Sequence, residues 1–324
     1  MTNKPNLLVI EDITARMRSQ LEKTFTLHDA RLGDDYLAFI AEKGDLIEAI
    51  VTNGADGTPE ILIETLPNLK MISNMGVGYD STNVTIAVSR GIMLTHTPGV
   101  LNEEVATTAL MLLLAVSRRL LPSHKWVTSG SWERKGNIKY SRSVDGMKVG
   151  IIGLGRIGQA IARKLEAFSC EISYHTRNEL PDSPYRHYPN LVEMARDMSC
   201  FIVITPGGPL THQLINKDVM DALGPDGILI NVARGSVVDE TALIAALQDG
   251  RLGYAGLDVF ENEPKVPEAL FDMEQVVMTP HIGSATHETR DAMGDLTTEN
   301  AVRFFSGKPV LTAVPECANI KKSL

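Results

Sequence analysis

Three short stretches carry the residue types of an acid–base site. Asn231-Val-Ala-Arg234-Gly235 offers a guanidinium, Asp258-Val-Phe-Glu261-Asn-Glu263-Pro264 offers carboxylates, and Thr279-Pro-His281-Ile-Gly283-Ser284 offers an imidazole. Each follows a short apolar run that reads as a buried strand, at residues 227–231, 253–257 and 276–279. Singly they are ordinary: an arginine after a strand commonly makes a structural ion pair, and a lone histidine is commonly a satisfied structural group. Together, three strand ends deliver a cation, carboxylates and an imidazole to the carboxyl edge of one sheet. Open α/β sheets bind their ligands at that edge.

What such a site would act beside is written upstream. Val149-Gly-Ile-Ile-Gly153-Leu-Gly155-Arg156-Ile157-Gly158 places GxGxxG directly after a strand and at the start of a helix. Gly153 permits a tight turn, Gly155 lets the backbone approach a pyrophosphate, and Gly158 lets helix and strand pack closely. Arg156, inside the turn, would add a direct contact, and Ile157 opens the helix, whose first N–H groups and partial positive charge favour phosphate. The next strand, 171–174, runs into His175-Thr176-Arg177-Asn178 and no carboxylate stands at its tip. An acidic residue there would accept from a ribose 2′-hydroxyl, whereas a guanidinium and a hydroxyl suit a 2′-phosphate. The expected cofactor is therefore NADP(H), with NAD(H) as the other option. A cation, an imidazole and carboxylates beside its nicotinamide would form an acid–base site.

The elements that position these residues follow from hydropathy. The chain has 324 residues, which at roughly 150 per domain suggests two domains. Strands are expected at 7–10, 49–52, 70–74 and 92–95, with helices at 14–24, 34–43, 59–65 and 82–89 between them. A second series has strands at 148–152, 171–174, 201–205, 227–231, 253–257 and 276–279, with helices at 157–168, 191–197, 217–223 and 240–249. Strict alternation of this kind signals parallel sheets covered by helices on both faces. An unusually apolar helix at 102–121 separates the series, and a polar segment at 122–146 follows it. Such a helix should be buried on several sides, at a domain crossover or a subunit interface. The last helix is expected at 286–306, and Asp80 is read as a cap for the helix at 82–89.

Composition removes several function classes. With 31 basic and 40 acidic residues the formal net charge is −9, which argues against nucleic-acid or anionic-membrane binding. The 44% apolar and 22% charged content is that of a globular protein. Three scattered cysteines, Cys170, Cys200 and Cys317, suit reduced thiols in the cytoplasm better than disulfides or a zinc site. No cluster has metal-ligand spacing. The run at 7–10, followed by Glu11 and Asp12, is too short and acidic for a signal peptide, and no stretch approaches a membrane span.

As a set, the fingerprint, Asn74-Met-Gly-Val-Gly-Tyr-Asp80, Asn231 to Gly235, Asp258 to Pro264 and Thr279 to Ser284 resemble the D-isomer-specific 2-hydroxyacid dehydrogenases, over nearly the whole chain. The basic tip after Tyr174 most resembles the NADPH-preferring glyoxylate/hydroxypyruvate reductases within that family. The resemblance implies two doubly wound parallel-sheet domains, a flavodoxin-like substrate domain and a Rossmann cofactor domain. Residues 1–99, completed by a C-terminal helix at 286–324, would form the first. Residues 100–285 would form the second, with a dimerisation arm at about 122–146.

It also implies roles. His281 would be the general acid that protonates the keto oxygen as hydride arrives. Glu263 would orient the ring through its far nitrogen and favour imidazolium. Arg234 would pair with the substrate carboxylate and polarise the carbonyl. Val77 and Gly78, with Gly76, would turn backbone N–H groups to the substrate carboxylate. Asp258 would orient the nicotinamide amide, Gly283 would face that ring, and Val232 and Ala233 would line the cofactor edge. Thr205 and Pro206 would lie on the adenosine side. Thr107 would touch the cofactor, or else bond its own helix backbone.

The implied activity is reduction of glyoxylate and hydroxypyruvate to 2-hydroxy acids with NADPH, by a homodimer. Trp132 would either reach the partner's site or anchor the arm on its surface. Two alternatives share the motifs. One is a reductase of a larger acid, 2-ketogluconate or an aromatic pyruvate, with Asn53, Gly54, Met75 and Tyr79 shaping the pocket. The other is a non-catalytic, NADP(H)-sensing corepressor-like protein.

Overall fold

In a computed structural model, residues 4–10, 12–30 and 35–320 are described. Glu11, the expected helix start at residue 34 and the ends of the expected first domain (1–3 and 321–324) lie outside them. The chain runs β1 (Asn6–Ile10), α1 (Ala15–Leu21), β2 (Thr26–Ala30), α2 (Tyr36–Lys43), β3 (Ile47–Asn53), α3 (Glu60–Thr65), β4 (Met71–Met75), α4 (Val84–Ser89) and β5 (Met93–Thr95). Three helices follow, α5 (Asn102–Ser117), α6 (Leu120–Thr128) and α7 (Ser131–Lys135). Then come β6 (Lys148–Ile152), α8 (Arg156–Glu166), β7 (Glu171–His175), β8 (Arg186–His187), α9 (Leu191–Asp197), β9 (Cys200–Val203) and α10 (Lys217–Leu223). The chain closes with β10 (Ile228–Asn231), α11 (Glu240–Gln248), β11 (Tyr254–Leu257), β12 (Val276–Met278) and α12 (His287–Phe305).

Two compact units divide it, Met1–Leu101 with Thr286–Leu324, and Asn102–Ala285. The first holds a five-stranded parallel sheet in the order β2-β1-β3-β4-β5. The second holds a seven-stranded parallel sheet in the order β12-β11-β10-β9-β6-β7-β8. Strands covered on both faces carry continuous apolar runs, and Leu7–Ile10 and Ile228–Ile230 are at most 1% exposed. Side-chain caps start seven of the helices: Thr14, Asp35, Asn83, Asn190, Asn216, Asp239 and Thr286 each accept from a first-turn N–H.

Several sequence expectations need correction. The helix expected at 102–121 breaks after Ser117, where Arg119 takes a left-handed φ of 52°. The polar segment at 122–146 is helical through Thr128 and again over Ser131–Lys135. Asn83, not Asp80, caps α4, its side chain accepting from Ile86 N. The C-terminal α-helix ends at Phe305, and the chain returns to β5, with Thr95 bridging Ala313 and Val314 N donating to Leu94 O, before a 3-10 turn at Pro315–Cys317. Strands β2 and β8 carry no clear apolar pattern and were not expected.

Candidate active site

In the seven-stranded unit, β6 and β9 are neighbours although β7 and β8 separate them in the chain. Strand order reverses there, which opens a ligand crevice at the carboxyl edge. The fingerprint leaves that edge from β6, Thr176 and Arg177 from β7, Thr205 and Pro206 from β9, and Val232 to Arg234 from β10. Asp258 follows β11 and His281 follows β12.

The imidazole and carboxylate are paired. His281 Nδ1 lies 2.7 Å from Glu263 Oε2, and both side chains are about one-third exposed (34% and 30%). Glu263 Oε1 also accepts from Phe260 N at 3.0 Å. Burial pushes the Glu263 acid up, but the hydrogen bond and charge of His281, with Phe260 N–H and the Arg234 charge, outweigh it and hold it below its ordinary value. It stands as a carboxylate at neutral pH and fixes which ring nitrogen is engaged.

His281 is one of few non-glycine residues with positive φ, at 52°. A histidine in the left-handed region costs free energy unless its surroundings over-determine it. Here they do. His281 N donates to Asp258 O at 2.8 Å, and the Asp258 carboxylate holds the flanks, accepting from Thr279 Oγ1 (2.6 Å), Ile282 N (2.8 Å) and Gly283 N (2.8 Å). Asp258 is 1% exposed, and burial lifts its acid above the ordinary value despite those donors. It therefore clamps the His281 loop, a job the sequence did not reveal.

Asn231 does the same for Arg234. Its Oδ1 accepts from Ala233 N at 3.1 Å and its Nδ2 donates to Arg234 O at 3.0 Å. This side-chain-closed turn lifts Arg234 out of the sheet with Val232 and Ala233 buried beneath. An asparagine closing a strand before a tight turn was the available signal. Arg234 Nη1 donates to Ala233 O at 2.9 Å.

The glycine turn fits a pyrophosphate. Gly153 has φ of 101°, and a Cβ on Gly158 would sit 2.1 Å from Gly153 O. Nothing lies within 4 Å of where a Cβ on Gly155 would project. Gly155 caps the eleven-residue α8 with no side-chain bond, so the first N–H groups at Arg156, Ile157 and Gly158 keep no capping acceptor. Arg156 and Arg177 are exposed. Thr176 Oγ1 donates to Asn178 O at 2.6 Å and shapes the β7 tip. Thr107 Oγ1 bonds Glu103 O at 2.9 Å on the exposed face of α5, the helix-backbone alternative for that residue.

In the five-stranded unit, Gly76-Val77-Gly78 leaves the carboxyl end of β4, with Val77 and Gly78 half-buried. Asn74 and His96 bond its carbonyls. Tyr79 donates to Glu316 at 3.2 Å, and burial with that neighbouring carboxylate pushes its phenol up to about 12. Among the described residues, no group of His, Cys, Asp or Glu is spaced to hold a metal ion.

Comparison with known proteins agrees with the motifs. Residues 110–283 match the model of the D-isomer specific 2-hydroxyacid dehydrogenase, NAD binding domain. Hydroxyphenylpyruvate reductase of Plectranthus scutellarioides is 44% identical over 308 residues, 95% of this chain and 98% of that protein. Glyoxylate/hydroxypyruvate reductase A HPR2 of Arabidopsis thaliana is likewise 44% identical over 308 residues, with the same coverage. Among solved structures, the NADPH-dependent glyoxylate/hydroxypyruvate reductase of Sinorhizobium meliloti, in complex with NADP and malonate, superposes with a TM-score of 0.94. It is 43% identical and covers 99% of this chain and 100% of that one. With its sheet order, its glycine turn and its relatives along nearly the full length in agreement, this chain belongs to the D-isomer-specific 2-hydroxyacid dehydrogenase family.

Proposed function

We propose that the protein reduces short 2-keto acids, glyoxylate and hydroxypyruvate foremost, to 2-hydroxy acids with NADPH. The observation that carries this reading is the 2.7 Å pair between His281 and Glu263, set on the same sheet edge as the dinucleotide turn. NADPH bound along that turn supplies the hydride. Gly153, Gly155, Arg156, Ile157 and Gly158 hold its pyrophosphate, and Val232, Ala233 and Gly283 line its path. Thr205 and Pro206 take the adenosine side, and Thr176 and Arg177 the 2′-phosphate. Asp258 orients the nicotinamide amide from beneath the His281 loop it clamps, and Thr107, on the exposed face of α5, touches the cofactor.

Glu263 engages Nδ1, so the Nε2 side of His281 carries the proton to the keto oxygen. In the oxidative direction the same nitrogen takes it back. Arg234 grips the substrate carboxylate with its planar fork and polarises the adjoining carbonyl. Val77 and Gly78 donate backbone N–H groups to the carboxylate.

The test is steady-state oxidation of NADPH and NADH with glyoxylate, hydroxypyruvate, 4-hydroxyphenylpyruvate and 2-ketogluconate. Turnover of none of them sinks the reading. An aromatic preference is the second reading, because the 44% identity to a hydroxyphenylpyruvate reductase equals that to a glyoxylate/hydroxypyruvate reductase. Arg177→Asp, assayed alongside, is expected to lower kcat/KM for NADPH by about 10–100-fold, the loss of a hydrogen bond to a charged group. The value for NADH should hold or rise, and equal losses for both cofactors would remove Arg177 from 2′-phosphate recognition.

We also propose a cytoplasmic homodimer. Helix α5 leaves Leu110 and Leu114 half-buried and Met111 41% exposed, and the next helices expose Leu120, Leu121, Val127 and Trp132. So much apolar surface on consecutive helices suits a second copy of the chain, with Trp132 anchoring the arm. Sedimentation at the monomer mass would overturn it. Cys170, Cys200 and Cys317 are all unpaired, as thiols in a reducing compartment are. Among the described residues, no single helix is long and apolar enough to cross a membrane. Recovery in a secreted or membrane fraction would contradict cytoplasmic residence.

A further inference from the structure

The loop after β4 is tied back through every one of its carbonyls. Asn74 Nδ2 donates to Gly76 O at 3.2 Å and to Gly78 O at 3.0 Å. Thr97 N also donates to Gly76 O, at 2.8 Å. His96 Nδ1 lies 3.0 Å from Val77 O, and because a carbonyl can only accept, that nitrogen carries the hydrogen. The N–H groups of Val77 and Gly78 have no protein acceptor among the described residues. Successive peptides whose oxygens are held from behind and whose N–H groups stay open make a concavity for an anion.

Asn74 is an odd residue on packing grounds. It is 0% exposed on a fully buried strand, and its Oδ1 meets no donor among the described residues. A buried acceptor left unmatched destabilises the fold, and an aliphatic residue would fill the site without that penalty. What the amide achieves is the pair of bonds to Gly76 and Gly78. His96 is held in turn by the C-terminal segment. Its N–H donates to Thr312 O at 3.1 Å, its carbonyl accepts from Thr312 Oγ1 at 2.6 Å, and the Tyr79 ring meets it edge-on at 5.4 Å. The neighbouring loop allows no slack, since a Cβ on Gly54 would lie 2.6 Å from Gly78 O.

We infer that Asn74 is a positioning residue for substrate binding: with His96, it fixes the Gly76–Gly78 peptides so that the Val77 and Gly78 N–H groups converge on a carboxylate. The inference deepens the keto-acid reading and rests on it for the identity of that carboxylate. It makes substrate affinity depend on a buried amide that never touches substrate.

The test uses the full-length protein saturated with NADP+, with oxalate titrated by calorimetry, so that binding is read without turnover. Asn74→Leu keeps the γ-branched shape and removes the donor. Its oxalate Kd is expected to rise by about 10–100-fold, as when hydrogen bonds to a charged group are lost. KM for glyoxylate should rise by the same factor, while kcat and the Kd for NADP+ stay near wild type. A folded variant with unchanged oxalate binding overturns the inference, as does one in which NADP+ affinity and kcat fall in step with oxalate. Should that variant not fold, His96→Phe preserves the ring contact with Tyr79, removes the donor to Val77 and is held to the same criteria. Wild type that binds no oxalate at all also overturns it. Wild type that binds oxalate but reduces no keto acid overturns the proposed activity alone, and the Asn74 comparison then still decides the inference by binding.

Discussion

Replacing His281 with alanine is expected to lower kcat for glyoxylate reduction by about 10²–10⁴-fold, the range that a positioned general acid contributes. NADPH affinity should stay close to wild type, because the glycine turn after β6 is a separate part of the sheet edge. The geometry that demands this is the 2.7 Å contact between His281 Nδ1 and Glu263 Oε2, which leaves the other ring nitrogen to serve the substrate. Backbone strain complicates the alanine variant. His281 sits at φ of 52°, where alanine is strained and asparagine is better tolerated. His281→Asn therefore separates the two effects, keeping the left-handed backbone while removing the proton donor. Stopped-flow decay of NADPH absorbance measures both. Asparagine and alanine variants with equal, deep losses and near-normal melting temperatures place the effect on proton transfer. An asparagine variant that retains more than a tenth of wild-type kcat would remove His281 from the chemistry.

A second large effect is expected at the glycine turn, where two neighbouring glycines should fail differently. A Cβ on Gly158 would stand 2.1 Å from Gly153 O, a backbone atom that cannot swing aside. Gly153 is itself tied to the neighbouring strand, its N–H donating to His175 O at 2.9 Å. Gly158→Ala must therefore push α8 off β6, at about 1–3 kcal/mol or more for overpacking. It should lower the melting temperature and abolish NADPH binding together. Gly155→Ala meets no protein atom within 4 Å, so it should melt like wild type and lose affinity only through contact with the pyrophosphate. Thermal melts with and without NADPH read both quantities. If Gly158→Ala keeps wild-type stability and cofactor affinity, the close approach of α8 to β6 does not matter to the site. If Gly155→Ala binds NADPH normally, the phosphates do not pass over Gly155.

The parts of this protein that were legible in its sequence depend on short-range physics. Runs such as Leu7–Ile10 and Ile228–Ile230 are apolar on both faces because both faces are covered, and such runs mark central parallel strands without further context. Helices with a clear N-cap and stripe, such as Leu191–Asp197 and Lys217–Leu223, matched their expected bounds residue for residue. Glycine sterics within ten residues predicted the dinucleotide turn. Edge strands were missed for the converse reason. Thr26–Ala30 is half-exposed and carries a charged residue, and Arg186–His187 is too short to show any period.

The sequence by itself determined the two parallel sheets, the turn after β6, and the residue types at each strand end, since these follow from local hydropathy and from steric limits on a few consecutive peptides. Tertiary structure decided which atoms meet. Glu263 and His281 are 18 residues apart, and Asp258 reaches its partners at Thr279, Ile282 and Gly283 across 21 to 25. His96 meets Thr312 from 216 residues away. Hydrogen bonds act over about 3 Å whatever the separation along the chain. The motif resemblance named Glu263 for the imidazole, but the clamp that Asp258 places on the His281 loop was fixed only when β11 and β12 came to lie side by side.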